Sequence, residues 1–257
     1  MAYIEINDVS KVYQRDGEPF HALSHVSLEI ERGEFICLLG PSGCGKTTLL
    51  NTLAGFEHPD EGRVLIGGEA VTEPVPNRVT IFQHYGLLPW QTVEKNVMLG
   101  LLAKKVPKEE ARAIASKYID LVGLSGFEHV RPAQLSGGMQ QRVSIARGLA
   151  VQPDVLFMDE PFAALDAITR LKMQDDIHRI AEEVGVTVVF VTHDIEEAVS
   201  LADRIVVLTP NPGQVKEVVK VELGPDRLRT ADDFLAVRDH VFDVFGMKPN
   251  WNVEYVI

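Results

Sequence analysis

Three stretches of the chain hold residue types whose spacing could manage a polyphosphate. Gly40-Pro41-Ser42-Gly43-Cys44-Gly45-Lys46-Thr47-Thr48 follows the apolar run Phe35 to Leu39 and leads into a helical stretch from Thr48 to Ala54. The Gly-x-x-x-x-Gly-Lys-Thr pattern lets backbone N–H groups converge on phosphate oxygens that a Cβ would obstruct, and the helix start adds its positive end. Lys46 supplies a compact cation for β and γ phosphates, and the Thr47 hydroxyl is a hard oxygen suited to Mg²⁺. Second, Val155-Leu156-Phe157-Met158 ends in Asp159-Glu160. Two acids therefore emerge where a buried strand leaves the core, the edge at which open α/β sheets place their ligands. Asp159 suits a Mg²⁺ partner acting through water, and Glu160 suits a base taking a proton from attacking water. Third, Leu135-Ser136-Gly137-Gly138-Met139-Gln140 puts a hydroxyl and two glycines before a helical run, a second anion-binding helix start. One nucleotide hardly needs two. A simple resolution is that this turn completes a nucleotide site on a second copy of the chain.

These residues need elements to position them. Tyr3-Ile4-Glu5-Ile6 and Val26-Ser27-Leu28-Glu29-Ile30 alternate apolar and polar, which predicts antiparallel strands near the N-terminus. Phe35 to Leu39, Val155 to Met158 and Val186 to Val191 are nearly continuous apolar runs, as strands buried on both faces require. Their alternation with helical stretches such as Ala167 to Glu183 builds a parallel sheet, so the fold class is α/β. Helical spacing over 92 to 122 and beyond predicts a helical insertion at about 88–147, inside one domain spanning 1–257. The region from about 215 to 257 is expected to be a C-terminal extension ending in a helix, with Phe234, Leu235, Val237, Val241, Phe242, Val244 and Phe245 on its apolar face.

Composition limits the function classes. Of 257 residues, 46% are apolar and 24% charged, which excludes disordered and fibrous chains. Lys and Arg number 25 against 37 Asp and Glu, a net charge of −12 that disfavours nucleic acid as a general partner. No apolar run approaches the roughly 20 residues of a spanning helix, and no secretory signal is readable, so a cytoplasmic location is expected. Two cysteines, Cys37 and Cys44, make neither a disulfide framework nor a zinc set. Cys44, close to a helix start, is expected to have a lowered thiol pKa and to block activity when alkylated.

Taken as an ordered set, these motifs resemble those of ATP-binding cassette (ABC) ATPases along essentially the whole chain. Gly40 to Thr47 is similar to the family's phosphate loop, Gln83 to its glutamine loop, and Leu135 to Gln140 to its signature. Asp159-Glu160 matches the acidic strand end, Leu165-Asp166 the D-loop, and His193 the switch histidine. Met139 stands where glutamine is commoner. The resemblance implies a P-loop ATPase core with a parallel sheet, an N-terminal antiparallel β subdomain and a helical signature subdomain. It implies ATP and Mg²⁺ as ligands, with Thr47, Gln83 and Asp159 near the metal and Tyr13 stacked on adenine. Glu160, His193 and Gln83 would be catalytic, and Ser136, Gly137 and Gly138 would act in trans on the nucleotide, with Asp166 beside it. Two copies, or one copy and a similar cassette, would close around ATP.

The resemblance also implies partners. The length and the lack of heptads fit neither coiled-coil repair ATPases nor twin-cassette translation factors, which leaves a transporter's energy-coupling subunit. Gln83-His84-Tyr85-Gly86-Leu87-Leu88-Pro89-Trp90 lies where members receive a helix from the membrane subunit. Its wording, with Leu208-Thr209-Pro210-Asn211-Pro212-Gly213, is similar to importers of nitrate, aliphatic sulfonates and taurine. Expected partners are two integral membrane permease subunits and, indirectly, a solute-binding protein, at the cytoplasmic face of the cell membrane. Three alternatives stay open: a nucleotide kinase or GTPase, an exporter cassette, and a cytosolic assembly ATPase.

Overall fold

The computed structural model describes residues 2–246 apart from 16, 84, 164 and 225. His84 and the end of the C-terminal extension, 247–257, lie outside the described residues. The elements run β1 (Ile4–Arg15), β2 (Glu18–Ile30), β3 (Phe35–Leu39), α1 (Lys46–Ala54), β4 (Glu61–Ile66), β5 (Glu69–Ala70) and β6 (Arg78–Ile81). Next come α2 (Val93–Ala103), α3 (Lys108–Leu121), α4 (Gly137–Ala150), β7 (Val155–Asp159), α5 (Ala167–Val184) and β8 (Thr187–Thr192). The order finishes with α6 (Ile195–Leu201), β9 (Arg204–Leu208), β10 (Val215–Lys220) and α7 (Asp232–Val244).

The alternating N-terminal segments pair antiparallel in a four-stranded sheet of order β2-β1-β4-β5. The apolar runs form a second sheet of order β10-β9-β3-β8-β7-β6, parallel except for β10 at one edge. Side chains of β3 alternate across it. Ile36 and Leu38 join a core with α1 and the antiparallel sheet, whereas Phe35, Cys37 and Leu39 join the core under the remaining helices. Two-sided burial is why the runs show no polar alternation. Phe157 and Phe190 are fully buried in these two cores, on opposite faces, and truncating either to Ala costs about 3–5 kcal/mol.

Helix starts follow local hydrogen-bonding chemistry. Ser136, Asp166 and Asp194 accept from Met139, Thr169 and Glu197 N–H groups and so cap α4, α5 and α6. By contrast α1 begins at Lys46, ahead of the expected Thr48, on a left-handed Gly45 with no side-chain cap. Its first N–H groups therefore have no capping side-chain partner among the described residues. Helices α2, α3 and α4 lie between β6 and β7, and Arg142 of α4 holds them to α5 through Asp176 at 2.8 Å.

Candidate active site

Four parallel strands end side by side. Leu39 pairs with Thr192, Val191 with Asp159, and Met158 with Ile81, so the residues just beyond these strands share one edge. Those residues are the Gly40 loop, His193, Glu160 and Gln83. The sheet's register thus gathers candidates that are far apart in sequence.

Within the loop, Gly45 has φ +89, and an added Cβ would sit 2.6 Å from Ala22 O and 2.7 Å from Leu23 Cδ2. Only glycine fits. Lys46 is 5% exposed, and its Nζ donates to Gly40 O at 2.7 Å and Pro41 O at 3.1 Å. The ammonium lies under the loop, with its charge held by carbonyls that a phosphate can replace. Pro41, Ser42, Gly43 and Thr47 are exposed, and Thr48 is half-buried. Thr47 Oγ1 donates to Asp159 Oδ1 at 3.2 Å. A hydroxyl and a carboxylate meeting at the loop are hard oxygens that fit a small divalent cation. Burial pushes the Asp159 carboxyl up from its ordinary range, and the neighbouring Glu160 charge adds to this against the Thr47 bond and Lys46.

Cys44 departs from expectation. It is fully buried, and its Sγ fills the space that a Cβ on Gly40 would occupy. Burial raises the thiol pKa, outweighing the nearby Lys46 charge. The helix start that was expected to activate Cys44 is overcome by desolvation, so the thiol is neither acidic nor accessible.

Glu160 adopts φ +43, rare for a residue with a side chain. Its N–H donates to Val191 O at 3.0 Å, which ties the turn to β8. His193 Nδ1 lies 3.2 Å from Glu160 Oε1. A carboxylate oxygen accepts, so Nδ1 is the donor of this pair and Nε2 is the ring's second polar atom. Gln83 is exposed two residues beyond Ile81, beside the end of β7.

The remaining candidates hydrogen-bond to other parts of the chain. Ser136 is exposed and its hydroxyl accepts from Met139 N–H at 3.3 Å. Among the described residues no hydrogen bond or ion pair joins Ser136, Gly137 or Gly138 to the phosphate loop or to Glu160. Gly138 is needed for close packing, since a Cβ there would lie 2.4 Å from Thr169 Cγ2. Signature turn and α5 are thereby held together, and Asp166 caps α5 through Thr169 N–H at 3.1 Å. Tyr13, half-buried on β1, donates its hydroxyl to Glu57 just past α1.

Sequence reasoning missed two side chains. Arg147 of α4 donates to Gly86 O at 2.6 Å and Tyr85 O at 3.0 Å, fixing the segment after Gln83, and its burial lowers its pKa. Glu197, buried on α6, binds the hydroxyl of Thr192 at 2.6 Å. Both are polar residues on otherwise buried helix faces, the one sequence signal that could have found them.

The chain matches a family model described as ABC transporter over residues 23–163. It is 45% identical over 249 residues to the bicarbonate transport ATP-binding protein CmpD of Synechocystis sp., covering 94% of this chain and 88% of that one. It is 43% identical over 232 residues to the nitrate import ATP-binding protein NrtD of Synechococcus elongatus, covering 89% and 85%. Its structure is similar to a dimeric, post-hydrolysis ATP-binding cassette bound to ADP and phosphate, with TM-score 0.76, 35% identity, and coverage of 86% of this chain and all of that one. With the phosphate loop, Asp159, Glu160 and His193 converging on one sheet edge, and with these relatives beside it, the chain belongs to the ABC transporter family and is an ATP-binding, ATP-hydrolysing cassette.

Proposed function

We propose that this cassette powers an importer of small oxyanions, of which nitrate and bicarbonate are the two examples its relatives name. Both are planar, singly charged trigonal oxyanions. The cassette need not touch the solute, because ATP acts by favouring one conformation of the membrane partners over another. The anion assignment therefore rests on relatives, whereas the energy-coupling role rests on the site. Its supporting observation is the 3.2 Å contact of His193 with Glu160 on the edge where Thr47 meets Asp159.

In this reading the loop amides and Lys46 grip the β and γ phosphates, with phosphate oxygens taking the place of the Gly40 and Pro41 carbonyls around the ammonium. Tyr13 and Thr48 line the nucleoside side of the loop. Glu160 takes a proton from water as its oxygen bonds the γ phosphorus; the bond to the β–γ bridging oxygen breaks and ADP keeps the electron pair. His193 contacts the γ phosphate through Nε2, and Gln83 orients the attacking water. Thr47, Asp159 and Gln83 would hold Mg²⁺, which neutralises phosphate charge when bound. Ser136 and Gly138 of one copy cap the nucleotide gripped by the other, with Asp166 at the seam.

The helical insertion at about 88–147 carries the signature turn, and about 215–257 is an extension of the single domain 1–257. Two permease subunits would dock near Gln83. Large apolar side chains are exposed there, Phe82 at 47% and Trp90 at 65%, while Leu87 packs on the core. An apolar groove of about 320 Å³ beside Val79, Leu99, Ala103 and Val151 opens between α2, α4 and β6. No helix among the described residues is long and apolar enough to cross a membrane, which suits a peripheral subunit at the cytoplasmic face. A solute-binding protein would deliver the anion from outside.

Reconstitution with its permease and solute-binding protein tests the reading. Vesicles should accumulate labelled nitrate or bicarbonate only with ATP, and Glu160→Gln should stop uptake. Uptake of neither anion, with ATP hydrolysis intact, would overturn the anion assignment.

A further inference from the structure

Below His193 lies a buried polar cluster that the catalytic reading leaves unused. Glu197 Oε2 accepts from Thr192 Oγ1 at 2.6 Å, and Oε1 accepts from Gln174 Nε2 at 3.0 Å. Thr192 Oγ1 in turn accepts from Asp194 N–H at 3.0 Å. The Glu197 N–H donates to Asp194 Oδ1 at 3.1 Å. Both neighbours of His193, Thr192 and Asp194, are therefore fastened to one glutamate. Arg229, after β10, donates to Gln174 Oε1 at 2.7 Å and fixes the amide's orientation. On the other side Arg170 donates from Nη2 to Leu165 O at 3.1 Å, next to Asp166. Its buried Nε has no hydrogen-bond partner and lies 3.9 Å from Glu197 Oε1.

Glu197, Gln174 and Thr192 are all buried. A buried carboxylate with this many donors is costly unless its partners stay in place, so the cluster holds one geometry. An apolar side chain here would leave the buried Thr192 O–H and Gln174 N–H donors without their acceptor. What the carboxylate supplies is a fixed direction for the turn that presents the imidazole.

We propose that Glu197 is a positioning residue for ATP hydrolysis, holding the Thr192–Asp194 turn so that the imidazole of His193 meets Glu160 and the γ phosphate. This inference rests on the catalytic reading of His193 and Glu160. A ring displaced by about 1 Å can lose up to about 10²-fold in rate, so a smaller displacement produces a measurable loss.

The test is a double-mutant cycle on purified cassette, measured as kcat and KM for ATP. Glu197→Gln keeps the shape and changes the donor pattern. It should lower kcat about tenfold while KM stays within about twofold, because the loss arises in the transition state. In a His193→Ala background the same substitution should change kcat by less than about twofold, since there is no ring left to position. An equal loss in both backgrounds, or a raised KM with unchanged kcat, would overturn the proposal. Should Glu197→Gln not fold, Thr192→Val removes the hydroxyl that joins Glu197 to Asp194, and Thr192→Ser keeps it. Loss with Val and retention with Ser are expected, and wild-type kcat in Thr192→Val would overturn the proposal. If His193→Ala alone left kcat unchanged, the catalytic reading would fall instead, and that result is visible before the cycle is closed.

Discussion

The molecule has two glycine-rich helix starts, and they are built differently. At α1 the chain turns through a left-handed Gly45, no side chain caps the helix, and the buried Lys46 waits under the loop beside Thr47, Asp159 and the Glu160–His193 pair. At α4 Ser136 is exposed and already caps the helix while Gly138 is buried against α5, and neither Lys46, Asp159 nor Glu160 bonds to the turn. The first is the candidate phosphate site, with candidate catalytic groups assembled around it. The second can add donors to a phosphate but has nothing of its own to react with it. One helix start has candidate catalytic groups gathered around it within the chain; under the proposed function the other serves the nucleotide held by a second copy.

This contrast makes predictions of graded size. The largest concerns the first half-site: Glu160→Gln should lower turnover by about 10²- to 10⁴-fold with ATP affinity retained, measured by phosphate release and equilibrium binding. Unchanged turnover would remove Glu160 from the base role. Next, Ser136→Ala should lower kcat by about tenfold or more while ATP affinity of the single chain stays within about twofold, as expected if Ser136 serves the other copy's nucleotide, which is the role proposed for it. Weakened ATP binding by the monomer would make the two helix starts one site.

A third prediction concerns Cys44. Both thiols are fully buried, and burial raises the thiol pKa of each. Iodoacetamide should label the native chain at least about tenfold slower than the unfolded one, followed by intact mass. Rapid native labelling with loss of ATPase would show that the loop opens more readily than its packing implies.

The smallest effect is on stability. A carboxyl whose pKa is raised by folding favours the folded state only while it is protonated. That stabilisation is full below the unfolded pKa and is lost as pH rises through the folded one. Burial raises Asp159, so at neutral pH the ionised carboxylate opposes folding. Asp159→Asn should therefore raise Tm by about 1–3 °C at pH 7 while impairing hydrolysis, with the gain shrinking as pH falls. A lowered Tm at pH 7 would mean that the Thr47 bond outweighs desolvation.

The strands and the phosphate loop were legible because periodicity and glycine spacing report them directly. Phe35 to Leu39 and the runs ending at Met158 and Val191 could be little else than two-sided strands, and their common edge followed from the parallel order. Side-chain environment was not legible. Cys44 is two residues from a helix start in sequence, yet its Sγ turns inward against Gly40, and which force wins is decided by packing across the fold. The same holds for Glu160, whose positive φ depends on its bond to β8. It holds also for Glu197, which matters only because Gln174, Arg229 and Thr192 arrive from three other segments.

In the proposed dimer the α4 turn serves a neighbour's nucleotide. The most direct measurement is the mass of Glu160→Gln by light scattering, with and without ATP, alongside equilibrium dialysis of the nucleotide. A dimer that forms only with ATP, and that Ser136→Ala weakens, is expected. ATP bound at full occupancy to a chain that stays monomeric, in isolation and with its permease, would contradict it.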